Sequence, residues 1–171
     1  FARAYAEAEG LAYVSHYNDL TVIAGQGTIG AEIERQAADT DMVVVSVGGG
    51  GLISGIAGFL KGRNPGVKII GASPRNDHAM LCSVRAGKVV AHADAQPTLS
   101  DGTAGGVEPG AITLPFCREL VDDWVLVSEE QIADAMRRYM TYDNQLIEGA
   151  AGVAIASLLD IAATQPESIK G

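Results

Sequence analysis

The stretch Val43–Gly62, VVVSVGGGGLISGIAGFLKG, constrains the fold more than any other part of this chain. A β-branched apolar run is followed by four consecutive glycines and then by a segment with helical character. A continuous apolar run of this kind suits a parallel strand covered on both faces. After Leu52–Lys61 the residues GRNPG make a turn, and VKIIGA supplies a second strand. The order is β-α-β, for which a right-handed crossover is expected. The strand–glycine–helix junction aims free backbone N–H groups at one point, where the helix dipole adds partial positive charge. Phosphate is the natural occupant of such a place. The glycines can also serve tight helix–sheet packing alone, and the sequence leaves both readings open.

Spacing excludes two familiar phosphate loops. The dinucleotide pattern G-x-G-x-x-G would need glycine at Ile53 or Ser54, and the P-loop would need lysine at Ile56 after Gly50 and Gly55. A small phosphate cup without a nucleotide signature remains.

The rest of the chain reads as an α/β alternation. Phe1–Glu9 is helical with Gly10 as its stop signal, LAYVSHY has strand propensity, and residues 21–38 form a helix whose glycines at 25, 27 and 30 invite close packing. HAMLCSVRAG is a short helix, and the glycine-bearing residues 88–110 form a long loop of the kind that more often carries a site than a spacer. AITLPFCRELV is a helix, DWVLVS a strand, Ser128 and Gln131 a capping box for the next helix, and the last helix runs from about Glu148 to Ala163. No repeat or low-complexity linker divides the 171 residues, a length that suits one core.

Composition narrows the function. A net charge of -9 with only 12 scattered Lys and Arg argues against a nucleic-acid footprint. Met42–Leu60 is 19 residues without a charge, long enough for a membrane span, but the glycines and serines at its centre oppose insertion as one helix. Cys82 and Cys117 are far apart with no metal-ligand spacing, so both are expected as buried thiols, and the acidic chain fits a cytoplasmic protein. The opening on Phe1 inside a helical pattern gives the impression of a segment cut from a longer chain.

Five ordered motifs, VIAGQGTIGAEI, VGGGGLISGIA, DGTAGG, ELVDDWVLVSEEQI and IEGAAGVAIA, resemble the threonine/serine dehydratase and serine racemase family. These are pyridoxal-phosphate enzymes of fold type II, similar to the tryptophan synthase β chain. The resemblance implies a three-layer α/β domain with a parallel sheet, here incomplete: residues 1–171 would form most of the large cofactor-binding domain, without the N-terminal part and the last strand. It implies pyridoxal 5'-phosphate held at its phosphate by Gly48, Gly49, Gly50, Gly51 and Leu52. Asp101, Gly102 and Thr103 would lie by the cofactor ring, and Glu148 would be the acidic residue near it. Glu148 also reads simply as a carboxylate favourable to a helix N-terminus. A bulky residue at Gly50 is expected to occupy the phosphate position.

The activity implied is α-proton removal from a small hydroxy amino acid, loss of the β-hydroxyl, and release of a keto acid and ammonia; racemisation is the alternative within the family, whose members are often homodimers. No catalytic residue is assigned. The family's Schiff-base lysine, its substrate-carboxylate loop and the residue facing the pyridine nitrogen have no counterpart here, and Lys61, Lys68, Lys88 and Lys170 occupy unrelated contexts, so the segment alone is expected to be inactive. A cation site that many members build from Glu and Asp has Ser73 and Ala79 instead, and Asp77 with His78 reads as a solvated polar turn, so no metal is expected. The competing classes are a non-catalytic phosphate-binding or regulatory module, and a half-enzyme completed by a second chain.

Overall fold

The computed structural model describes residues 1–169, so Lys170 lies outside the described residues. Three parallel strands, β1 (Met42–Ser46), β2 (Lys68–Pro74) and β3 (Asp123–Val127), lie in the order β1-β2-β3. Val43 pairs with Ile69 and Val45 with Gly71, while Gly71 meets Trp124 across the other ladder. Alternation along the strands divides the core. Val43, Val45 and Ile69 face helices α2 (Leu20–Gln36), α3 (Gly51–Arg63), α4 (Ala79–Ala86) and α5 (Thr113–Leu120). Val44, Val125 and Val127 face α6 (Glu129–Asp143) and α7 (Gly149–Thr164). The result is the three-layer α/β arrangement expected from two-face-buried strands. Burying side chains such as Ile53, Ile69, Ile70 and Val153, each at most 1% exposed, stabilises the layers by about 1.5–3 kcal/mol apiece.

Local chemistry sets the element ends. The Asp19 carboxylate accepts from the amides of Thr21 and Val22 and starts α2. Ser128 and Gln131 form the expected reciprocal capping box at α6. Gly87, at φ 67°, closes α4 and turns the chain back over it. One expectation fails: LAYVSHY, after the opening helix α1 (Ala2–Ala8), is not a strand but an irregular segment. Strand propensity needs a ladder to express itself, and no described strand runs beside it. Among the described residues, no helix is long and apolar enough to cross a membrane; the uncharged run Met42–Leu60 is divided between β1, the glycine turn and α3.

Candidate functional site

The turn after β1 is packed on all the sides where side chains would stand. A Cβ on Gly48 would lie 3.0 Å from Thr103, one on Gly49 2.6 Å from the Tyr17 ring, and one on Gly51 2.9 Å from the Tyr17 Cα. Gly50 adopts φ 85° as the N-cap of α3, and its Cβ would meet Cys117 Sγ at 2.8 Å and Met80 Cε at 2.9 Å. The absence of side chains is therefore explained by packing. The expected clash of a Gly50 side chain with a phosphate is corrected by the same geometry, because that side chain would point into the core.

Packing leaves the amides unexplained. The N–H groups of Gly48, Gly49, Gly50, Gly51 and Leu52 donate to no acceptor among the described residues. Their carbonyl neighbours are held back: the Thr113 hydroxyl donates to Gly49 O at 2.7 Å and the Ser54 hydroxyl to Gly50 O at 2.6 Å. A turn with two of its carbonyls engaged and its amides free, at a helix N-terminus, is a site for an oxyanion. Against Gly48 and Gly49 opens a cavity of about 300 Å³, closed on its other sides by Tyr17, Gly102, Thr103 and Glu108.

The facing loop is fixed by several contacts. A Cβ on Gly149 would collide with the Leu99 carbonyl, so glycine there lets the loop cross the start of α7. Glu129 Oε2 accepts from Leu99 N at 2.7 Å, and Asp77 Oδ2 accepts from Gly105 N at 2.7 Å. Asp101–Thr103 forms a single 3₁₀ turn whose Thr103 hydroxyl lies 2.6 Å from that of Ser100. Glu148 is the N-cap of α7 without a capping hydrogen bond, and its carboxylate oxygens lie 3.7 Å from where a Gly102 Cβ would be. Leu52 and Glu148 line a second cavity of about 360 Å³ on the sheet side of the turn. The structure thus gathers Gly48, Gly49, Gly102 and Thr103 around one cavity and sets Glu148 beside Gly102, whereas Gly50 and Gly51 face packed neighbours.

Two expectations about the surroundings change. Asp77 is not solvated: it is 7% exposed and fastens the glycine loop. Cys117 is a buried thiol as expected, its ionisation pushed up to about 12 by burial, but Cys82 is only partly buried. Ser73 is fully buried and donates to Val47 O at 3.2 Å, tying β2 to the end of β1. Tyr17 and Thr113 escaped the sequence reading because their roles arise from long-range contacts. Tyr17 OH accepts from Glu108 N at 2.8 Å, and burial raises its phenol above the usual range.

A parallel α/β sheet with an open-amide turn after one strand and a glycine loop facing it is the architecture of pyridoxal-phosphate enzymes of fold type II. The chain belongs to the family described as pyridoxal-phosphate dependent enzyme, whose profile matches residues 1–170. It is 43% identical over 154 residues to L-threonine ammonia-lyase of Thermotoga maritima, covering 90% of this chain and 38% of that one. The processed threonine deaminase isoform 2 of Solanum lycopersicum superposes with a TM-score of 0.89 at 37% identity, over 99% of this chain and 48% of that one. Maize serine racemase superposes with a TM-score of 0.87 at 31% identity, over 95% and 49% respectively. The chain therefore spans less than half the length of these relatives.

Proposed function

We propose that residues 1–171 form most of the large cofactor-binding domain of a pyridoxal-phosphate dependent ammonia-lyase acting on threonine or serine. The observation that carries this reading is the row of five amides without acceptors at the carboxyl end of β1. In a member of this family, they would hold the phosphate of pyridoxal 5'-phosphate, with Gly48, Gly49, Gly50, Gly51 and Leu52 as donors. Free donors at a helix N-terminus match a phosphate in charge and in hydrogen-bonding capacity. When bound, that cofactor supplies the electron sink for removing the α-proton of an amino acid.

The chain's own groups do the positioning. Thr113 and Ser54 engage the carbonyls of Gly49 and Gly50, which keeps those two acceptors from facing the anion. Gly102 and Thr103 bound the cavity where the ring would lie, and Asp77 and Glu129 hold their loop in place. Glu148 stands beside Gly102 and would be the carboxylate nearest the ring side of the site. The amine that anchors the cofactor would come from outside this segment. The same reading carries a cytoplasmic setting, and a homodimer that sedimentation of the full-length protein would test.

A second reading, racemisation of serine, is favoured by the likeness to maize serine racemase. The experiment is a cofactor-dependent assay of the full-length protein with L-threonine and L-serine, reading ammonia and, by chiral chromatography, D-serine. Ammonia and keto acid without D-serine support the lyase; predominant D-serine supports the racemase. Neither product, with no cofactor retained on gel filtration, would leave the non-catalytic module as the better account.

A further inference from the structure

The chain contains three histidines and two cysteines, and two of the former with one of the latter converge at a place the proposed cofactor chemistry does not use. His78 is the N-cap of α4, and Cys82 follows four residues later, one turn further along the same face. His92 arrives from the loop beyond. Gly87 reverses the chain, Val90 N donates to Ser83 Oγ at 3.1 Å, and the Gln96 and Pro97 backbone is hydrogen-bonded to Asn76 at 2.8 and 2.6 Å. These anchors lay His92 over the start of α4, with the two imidazole centroids 4.2 Å apart. One ligand atom from each of His78, Cys82 and His92 lies within 4.8 Å of the others.

We propose that His78, Cys82 and His92 bind one zinc ion, with water completing the tetrahedron, and that the ion fastens the loop carrying His92 to α4. Zinc takes nitrogen at about 2.0–2.1 Å and sulfur at about 2.3 Å, which sets tetrahedral edges of roughly 3.3–3.7 Å. About one ångström of side-chain closure separates the present arrangement from that geometry. All three side chains are partly exposed, so an ion and its water can reach them.

The outer contacts suit this ligand set. His78 Nδ1 is 3.0 Å from the Arg75 carbonyl, which as an acceptor leaves Nε2 free to ligate. His92 Nδ1 lies 3.4 Å from the His78 amide and 3.6 Å from Asp77 Oδ1. In the metal-free arrangement Nδ1 accepts from that amide; metal on Nε2 would place the ring proton on Nδ1, exchanging this long contact for donation to Asp77 Oδ1, the carboxylate–histidine–zinc relation. Asp77 Oδ2 in turn accepts from Gly105 N, so one carboxylate touches both the zinc ligand and the loop bordering the 300 Å³ cavity. The inference departs from the expectation that the segment holds no metal. Periodicity could not show it, because His92 is brought in by the loop.

The test uses the full chain, reduced and stripped of metal, with Zn²⁺ alone as the probe in competition with a chromophoric chelator. One equivalent should bind, and His16→Gln should leave the affinity unchanged. Asp77→Asn should weaken binding by roughly 10–100-fold, the effect of losing an outer partner, and Cys82→Ser or His92→Gln by more. A second measurement needs no variant: saturating Zn²⁺ should slow alkylation of Cys82 by iodoacetamide at least about tenfold, read by peptide mass spectrometry, because the metal-bound sulfur is withdrawn from attack. Alkylation of Cys82 at one rate with and without Zn²⁺, or undiminished stoichiometric binding in a folded Cys82→Ser/His92→Gln variant, would overturn the proposal.

Discussion

At the scale of single residues, Gly50 and Cys117 illustrate one contact seen from two sides. Gly50 holds φ 85° with Cys117 Sγ and Met80 Cε within 3.0 Å of its absent Cβ. Gly50→Val combines left-handed strain with overpacking, and the expected loss is roughly 2–4 kcal/mol, read as a lower urea midpoint at unchanged slope. A variant of wild-type stability would contradict the packed geometry. Cys117 makes a pH prediction. Below its unfolded value of 9.0, folded and unfolded states both keep the thiol proton, so Cys117 adds no slope. Between 9.0 and about 12 only the folded state keeps it, so stability falls as pH rises, by up to roughly 1.4 kcal/mol per pH unit. Cys117→Ala is expected to be less stable than wild type at pH 8, and this gap should narrow at pH 10. A constant gap would mean that the thiol does not titrate across unfolding.

At the scale of elements, α2 and α3 approach closely because glycines replace side chains at their crossing. A Cβ on Gly55 would collide with the Ile23 carbonyl and lie 2.6 Å from Gly27 N, whereas one on Gly58 meets nothing within 4 Å. Gly55→Ala is therefore expected to destabilise by more than about 2 kcal/mol, because backbone must move. Gly58→Ala should stabilise by roughly 0.5–1 kcal/mol through helix propensity alone. Thermal melts of the two variants check the pair, and equal shifts would contradict the crossing. This crossing was legible in the sequence, since glycines at 25, 27 and 30 inside a helical pattern called for a close neighbour, although Gly25 turns out to face open space. The strands were legible to within one or two residues because apolar runs buried on both faces have few alternatives. LAYVSHY was misread because propensity says nothing about whether a partner strand is present. At the site, the glycine turn announced itself, but the hydroxyls of Thr113 and Ser54 that turn its carbonyls away did not. Their hydrogen bonds depend on the packing of α5 and on one turn of α3, and leave no spacing signature.

At the scale of the whole molecule, the chain combines a net charge of -9 with an unusually open apolar flank. β1 is an edge strand, pairing only with β2 among the described strands. Along it runs a groove of about 480 Å³ lined by Ile33, Met42, Val43, Val44, Ile155 and Leu158. An apolar groove beside a free strand edge is a surface that proteins ordinarily cover, because it recruits other chains. The negative charge opposes that association through repulsion between copies, and screening by salt weakens the repulsion over a Debye length of about 8–10 Å near physiological ionic strength. The 171-residue chain is therefore expected to bind an apolar fluorescent dye such as anilinonaphthalene sulfonate while fully folded, and to associate more readily as salt is raised. Leu158 is 44% exposed, so Leu158→Gln should change stability by no more than about 0.5 kcal/mol. The same substitution puts an amide into the groove and should reduce the dye signal at least twofold. Undiminished fluorescence in a folded Leu158→Gln variant would place the dye elsewhere and remove the groove as the dominant apolar surface of the chain.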